Sequence, residues 1–462
     1  MSSHIFREYD IRGVADQDLV DDIVNRIGQG LGEMLRPTDS AKPPRLVVAQ
    51  DCRLSSPRLF DSLVGGLMAT GVQVVDIGIG PTPLMYFAVH HLQTDGGIMI
   101  TGSHNDAPDN GFKIMRGKSS FFGESIQALR QKVETLTFKK ERRGTLETLD
   151  VQDAYLAFLQ SNIKIADPNF CIVVDAGNGS AGPLGLTALR NAGFSPIPLF
   201  CDMDGTFPNH HPDPTVEKNL QHLITAVREN NALLGLAWDG DGDRLGLVDQ
   251  TGEIIWGDRL LALLARPVLE AHPGAAVIGD VKCSQSLFDS IASRGGQPIM
   301  WKTGHSLIKT KMKESMALIA GEMSGHFFFA DRFFGHDDGI YAALRLLEIV
   351  SAKKQSPGAL LADVPKGHST PEIRKDCPDR LKIEVVRRVK EELSSEGKLN
   401  EIDGVRIRYP DGAWALVRAS NTGPILVMRF EAPSEKRLNE VQSHVTSAVD
   451  RALAQAHSGT NG

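Results

Sequence analysis

Cysteine is scarce, aromatic residues make up only 6% of the chain, and no long apolar run occurs. The five cysteines, Cys52, Cys171, Cys201, Cys283 and Cys377, are odd in number and scattered. That spacing offers no disulfide framework and none of the close pairs that zinc and redox motifs use. Reduced thiols in the cytoplasm are therefore expected. No apolar stretch approaches the ~18 residues of a membrane span, and Met1 to Arg7 lacks the apolar core of a secretory signal, so no membrane partner is expected. A basic excess is missing as well: the formal net charge of -7 argues against nucleic acid as a partner. What remains is the make-up of an ordinary soluble protein, with 41% hydrophobic and 23% charged residues. At 462 residues the chain exceeds the size at which one core keeps growing, so three or four domains are expected.

Short β-branched runs recur between longer amphipathic stretches. Leu46–Ala49, Val74–Ile77, Ile98–Ile100, Ile172–Asp175 and Ala276–Asp280 read as strands. Asp153–Leu159 and Asp258–Leu269 carry apolar residues on a helical period. Three successive α/β units would fill about the first 365 residues. The remainder differs, because a charged helix over Asp379–Leu393 leads into Val405–Tyr409, Trp414–Val417 and Ile425–Phe430, joined by short turns, with a last helix from about Glu435. That is a small α+β domain with a mostly antiparallel sheet. Boundaries are placed at the charged Lys139–Gly144, near Gly252 and at Pro365–Gly367, and Gln455 to Gly462 is expected to fray.

Four loops carry candidate chemistry. Thr101-Gly102-Ser103-His104-Asn105 follows a strand and presents one hydroxyl beside glycine and histidine. It lacks the glycines of a G-x-S-x-G elbow, and a plain Ser/Asn turn is the alternative. Asp239-Gly240-Asp241-Gly242-Asp243-Arg244 lies between two apolar runs, and its alternating carboxylates would repel one another without a cation. Hard oxygen ligands point to Mg²⁺. An EF-hand is excluded by Arg244 and Gln250 at its sixth and twelfth positions, and a solvated acidic turn is the alternative. Glu322-Met323-Ser324-Gly325-His326 groups an acid, a hydroxyl and an imidazole that suit vicinal hydroxyls, or form a polar turn. Arg418 with Ser420, Asn421, Thr422 and Gly423 offers a guanidinium beside hydroxyl, amide and backbone donors, as a phosphate nest or a capped hairpin turn.

Two further motifs point elsewhere. Gly177-Asn178-Gly179-Ser180-Ala181-Gly182 matches G-x-G-x-x-G after a strand, with Asp202 near the ribose-binding position of a dinucleotide fold. In a chain with 45 glycines the match is weak, and a tight strand-to-helix turn needs no ligand. Asp202-Met203-Asp204-Gly205-Thr206 is similar to the aspartyl nucleophile motif of haloacid-dehalogenase-type phosphatases, but Phe207 to Pro212 breaks up the expected cap linker.

With its loops in this order the chain resembles the α-D-phosphohexomutase superfamily, most closely the bacterial phosphomannomutase/phosphoglucomutase branch. The resemblance covers nearly the whole length. It includes Phe6 to Gly13, the serine loop with Asn110-Gly111-Phe112-Lys113, the Asp239 to Arg244 loop, Gly257-Asp258-Arg259, Gly321 to His326 and Arg418 to Gly423. It implies three mixed-sheet α/β/α domains, 1–148, 149–253 and 254–366, and a C-terminal α+β domain, 367–462, around one central cleft. It further implies reversible interconversion of hexose 1-phosphate and hexose 6-phosphate through a phosphoserine on Ser103 and a glucose or mannose 1,6-bisphosphate that turns over in the cleft. Mg²⁺ would be held by Asp239, Asp241, Asp243 and a phosphoserine oxygen. Lys113 and His326 are the implied proton carriers, with Arg12, His104 and Arg244 as electrostatic helpers. Arg418, Ser420, Asn421 and Thr422 would clamp the idle phosphate, Glu322 and Ser324 would grip O3 and O4, and Tyr9, Arg259, Lys282 and His305 would contact the sugar phosphate in the cleft. A monomer is expected, with a dimer as the alternative. One position departs from the family pattern: Asp106 stands where Ser-His-Asn-Pro loops carry proline, and Pro108 comes two residues later.

Overall fold

The apolar runs become strands of four separate sheets in chain order, in a computed structural model that describes residues 3–36, 42–137, 143–420 and 423–458. In the first, seven-stranded sheet, Gly96–Ile100 lies between Arg45–Gln50, to which it is parallel, and Asp109–Arg116, to which it is antiparallel. The second sheet centres on Ile172–Asp175 and Leu234–Trp238, the third on Ala276–Asp280. These central strands are buried along their whole length, as expected where helices cover both sheet faces. The fourth sheet is antiparallel throughout its six strands. The chain thus forms three mixed-sheet α/β/α layers and a C-terminal α+β unit. The helix Asp379–Leu393 and the strand Ala276–Asp280 match their expected limits.

The cores are not equally separate. One hydrophobic cluster runs from Val47 and Tyr86 through Leu236 and Trp238 to Phe329 and Leu344, so the first three units share an apolar interior. The C-terminal unit closes its own core, from Leu381 to Ala456. It meets the third unit through a small apolar cluster, Val281 against Trp414 and Leu416. Arg406 lies over the Trp414 ring at 3.8 Å and donates to the carbonyl oxygens of Val281 and Cys283.

One expectation needs correction. The last helix, Glu435–Ser458, continues through the first half of the stretch expected to fray, because Ala452 and Ala456 keep its apolar face buried. The boundary stretch at 139–144 lies mostly outside the described residues. All five cysteines are free, and no described helix is long and apolar enough to cross a membrane.

Helices Asp21–Met34 and Ser56–Ala69 cross so closely that a Cβ on Gly66 would lie 2.0 Å from the Asn25 carbonyl oxygen. Glycine inside a helix costs about 1 kcal/mol against alanine, and here the touching backbones require it. Gly66→Ala is expected to lower stability by about 1–3 kcal/mol through overpacking, read as a shifted urea midpoint with an unchanged slope.

Candidate active site

The serine loop begins where the Gly96–Ile100 strand leaves the first sheet. Ser103 is buried and adopts a left-handed conformation, φ +50°, which a non-glycine residue holds only when its surroundings compensate. Its N–H donates to Thr101 Oγ1 at 2.8 Å and its carbonyl accepts from Arg53 at 2.8 Å. The buried Arg53 guanidinium also donates to the carbonyl oxygens of Asn105, Asp106 and Asp109 at 2.6–2.9 Å, while its Nε meets Asp51. One buried cation therefore gathers the loop from beneath, leaving the Ser103 hydroxyl facing the second unit. There Ser103 Oγ donates to Asp239 Oδ2 at 3.2 Å and lies 3.1 Å from His104 Nδ1.

Asp239, Asp241 and Asp243 sit in the turn between the Leu234–Trp238 and Leu245–Asp249 strands, fully buried, with ligand atoms within 4.8 Å of one another. The turn is pressed against two other loops by backbone contact. A Cβ on Gly240 would lie 2.4 Å from the Ser103 carbonyl oxygen, and one on Gly179 2.6 Å from the Gly240 carbonyl oxygen. Lys113 reaches in from the first sheet and donates to Asp241 and Asp243 at 2.6 and 2.5 Å, and Thr82 Oγ1 donates to Asp241.

On the opposite wall, an isolated antiparallel bridge joins Arg244 to His326. His326 Nδ1 lies 3.3 Å from Glu322 Oε2 and its Nε2 3.2 Å from Asp243 Oδ1. Ser324 Oγ is 3.2 Å from His326 Nδ1, and Glu322 Oε1 accepts from Gly304 N at 2.6 Å. Tyr9 donates to the Thr303 carbonyl at 2.8 Å, and its ring meets His305 edge-on. Arg12 donates to Asn105 of the serine loop and pairs with Asp10.

The electrostatics follow from packing these charges out of water. Burial works against the Lys113 ammonium, yet Asp241, Asp243 and Asp239 hold its pKa above the ordinary value. Burial and its two carboxylate neighbours raise Asp239, whereas Lys113 and His326 outweigh burial at Asp243 and lower it. Burial opposes the His326 imidazolium too, but Asp243 and Glu322 prevail over Arg244 and bring its pKa up to about 9. Burial, then Arg244, Arg12 and Lys113, push His104 well below its usual range, so its imidazole is neutral. Asp241 Oδ1 and Asp243 Oδ1 are buried without a hydrogen-bond partner. Three converging carboxylates with orphaned oxygens, balanced by an ammonium, are a donor set that fits a divalent cation.

Of the other expected site residues, Lys282 pairs with Glu372 of the C-terminal unit at 3.2 Å. Arg418 lies inside the Trp414–Ala419 strand rather than in the following turn, with Nε 2.9 Å from Asp403. Asp403 also accepts from Thr303 N at 3.1 Å, which links the strand carrying Arg418 to the segment that Tyr9 contacts. The carbonyls of Ser420 and Gly423 both accept from Lys382. Asn421 and Thr422 lie outside the described residues. Arg259 is turned toward the junction with the C-terminal unit, where it donates to the carbonyls of Leu361, Val364 and Pro365, because it leaves the first turn of its helix on that side.

Arg53, Thr82, Lys382 and Asp403 were not expected. The two competing motifs find ordinary employment. The G-x-G-x-x-G turn is filled by the Gly240 backbone and by His210, which pairs with Asp175 at 2.9 Å. Asp202 and Asp204 are exposed, and Asp204 caps its own turn by accepting from Thr206.

Comparison with known proteins agrees with this geometry. Family models described as phosphoglucomutase/phosphomannomutase match domain I over residues 3–141, domain II over 153–252, domain III over 256–367 and the C-terminal domain over 372–448. A phosphomannomutase/phosphoglucomutase of Pseudomonas aeruginosa is 45% identical over 457 residues, 98% of this chain and 97% of its own. A phosphoglucomutase of Neisseria gonorrhoeae is 42% identical over 450 residues, 96% of each chain. The crystal structure of a phosphoglucomutase/phosphomannomutase family protein from Burkholderia thailandensis superposes with a TM-score of 0.91 at 42% identity, covering 98% of each chain.

The carboxylate turn predicts its own test. Asp241→Asn is expected to weaken Mg²⁺ or Mn²⁺ binding at least about tenfold in calorimetric titration. In the unaltered protein a cation at 100 times its Kd should add about 2.7 kcal/mol of stability, and chelation should remove it.

Proposed function

The chain belongs to the phosphoglucomutase/phosphomannomutase family, and from that premise we propose that it interconverts the 1- and 6-phosphates of mannose and glucose by phosphoryl transfer from and back to Ser103. The observation that carries the reading is the Ser103 hydroxyl, held buried between Asp239 and His104 where three domain loops touch. A divalent cation, Mg²⁺, would be held by Asp239, Asp241, Asp243 and the Ser103 side chain, and supplies charge neutralisation for the transferring group.

The residues then divide the work. In the first half-reaction the bond from phosphorus to Ser103 Oγ breaks and a bond to the sugar hydroxyl forms, the proton that hydroxyl releases passing to the neutral form of His326 or of Lys113, the minor species at neutral pH. Arg244 and Arg12 stabilise the equatorial oxygens of the transferring phosphoryl group. The resulting hexose 1,6-bisphosphate reorients, and Ser103 takes back the other phosphate, its proton passing to Asp239 or to neutral His104. Arg418 and Ser420, with Asn421 and Thr422, hold the idle phosphate, and Lys282 and His305 line its path. Glu322 and Ser324 read O3 and O4, so the epimers at C2 are poorly discriminated. Tyr9 closes the sugar side through Thr303, whereas Arg259 acts at the junction of the C-terminal unit and not on the sugar. One chain supplies every loop, so a monomer suffices. The free thiols support a cytoplasmic setting.

Incubation with glucose 1,6-bisphosphate and Mg²⁺ should add one phosphoryl group to the peptide containing Ser103, seen by mass mapping. An unmodified Ser103 with phosphate elsewhere would refute the cycle. Ser103→Ala is expected to lower kcat by about 10⁴-fold or more, while Asp202→Asn leaves it unchanged. Asp106 presents an exposed side chain 3.5 Å from His211, a pair worth about 0–1 kcal/mol, and its carbonyl still accepts from Arg53. Asp106→Pro should therefore change turnover by less than about tenfold.

A further inference from the structure

Beside the aspartate turn a second set of donors converges on the wall of the cleft. Asp243 Oδ1, His326 Nε2 and a carboxylate oxygen of Asp337 come from three buried residues and lie within 4.8 Å of one another. Asp337 stands just before the Gly339–Lys353 helix and belongs to none of the four motif loops. Nε2 of His326 is 3.2 Å from Asp243 Oδ1 and 3.8 Å from Asp337 Oδ2. His305 Nδ1 lies 3.7 Å from the same Asp337 oxygen, and its ring stacks on that of His326. Three of these atoms, Asp243 Oδ1, Asp337 Oδ2 and His305 Nδ1, are buried without a hydrogen-bond partner.

Those spacings have a simple meaning. Ligands at 2.0–2.2 Å from a tetrahedral Zn²⁺ are separated by about 3.3–3.6 Å, so the 3.2 and 3.8 Å from His326 Nε2 to Asp243 and Asp337 lie within a few tenths of an ångström of two edges of such a tetrahedron, with His305 beside Asp337 and outside the three-residue group. The surrounding shell is also in place. A zinc-bound histidine gives its other ring nitrogen to a carboxylate, and His326 Nδ1 faces Glu322 Oε2 at 3.3 Å. The second oxygen of Asp337 accepts from Lys309 at 2.9 Å, and that of Asp243 from Lys113. One imidazole with two carboxylates, the fourth position left to water, favours Zn²⁺ or Co²⁺ over Mg²⁺, which prefers oxygen alone.

We infer that Asp243, His326 and Asp337 form a transition-metal site separate from the aspartate turn and sharing only Asp243 with it. The ion takes the lone pair of His326 Nε2; any proton there passes to solvent, and Arg244 Nε gives up its 3.4 Å contact with His326. On the reading proposed above, a filled site removes His326 from proton transfer, so Zn²⁺ inhibits even when Mg²⁺ saturates the aspartates.

The test uses the full chain, stripped by chelation, supplied with excess Mg²⁺ and titrated with Co²⁺ without substrate, which keeps its outcome independent of the proposed reaction. The expected result is one retained Co²⁺ per chain with the intense visible absorption of a four-coordinate site. Asp337→Asn should weaken that binding at least tenfold with Mg²⁺ affinity changed less than twofold, and Asp241→Asn should do the reverse. Co²⁺ that is absent, that Mg²⁺ displaces, or that is lost in Asp241→Asn and kept in Asp337→Asn would overturn the site. If Asp337→Asn does not fold, the Asp241→Asn arm and the spectrum decide.

Discussion

Three carboxylates buried against one serine hydroxyl cannot all keep their charge unless cations come to them, and much of the cleft is organised by that demand. Lys113 arrives from the first sheet, Arg244 from the same turn, and His326 from the third unit, held charged by the acids around it. The Lys113 and His326 contacts each join two units. The charge requirement therefore does structural work before any ligand binds, drawing three sheets to one point. The shared apolar interior of the first three units then fixes that arrangement.

A second device recurs under two of the four motif loops. Arg53 collects four carbonyl oxygens of the serine loop, and Lys382 collects those of Ser420 and Gly423. A buried cation under a loop turns carbonyl groups inward, which favours peptide N–H groups on the opposite side, where an anion can meet them. Loop shape is thus set from below, by residues that touch no substrate.

This division explains what the sequence discloses. The four loops are contiguous, glycine-rich and dense in functional groups, so each is visible as a string, and the strands and helices that carry them show their periods. Arg53, Lys382, Asp403 and Asp337 are single residues whose importance lies in partners elsewhere in the fold; Asp403 meets Thr303 a hundred positions away. No local pattern marks them. The aspartates at 202 and 204 make the converse case, since a string with catalytic appearance folds back on its own turn. The last helix was misjudged from its terminal Ser-Gly-Thr-Asn-Gly, although Val445, Ala448, Ala452 and Ala456 continue a buried helical face almost to its end.

The five cysteines carry one further implication. Burial lifts every thiol pKa above its usual value, with Cys52 and Cys201 pushed up to about 12. Since the thiolate is the species that attacks peroxides and disulfides, these buried thiols stay protonated and slow to react at neutral pH. Cys52 adjoins Arg53, the brace of the serine loop, yet it makes a poor redox handle on it. Control of this loop through thiol oxidation is disfavoured by the fold itself.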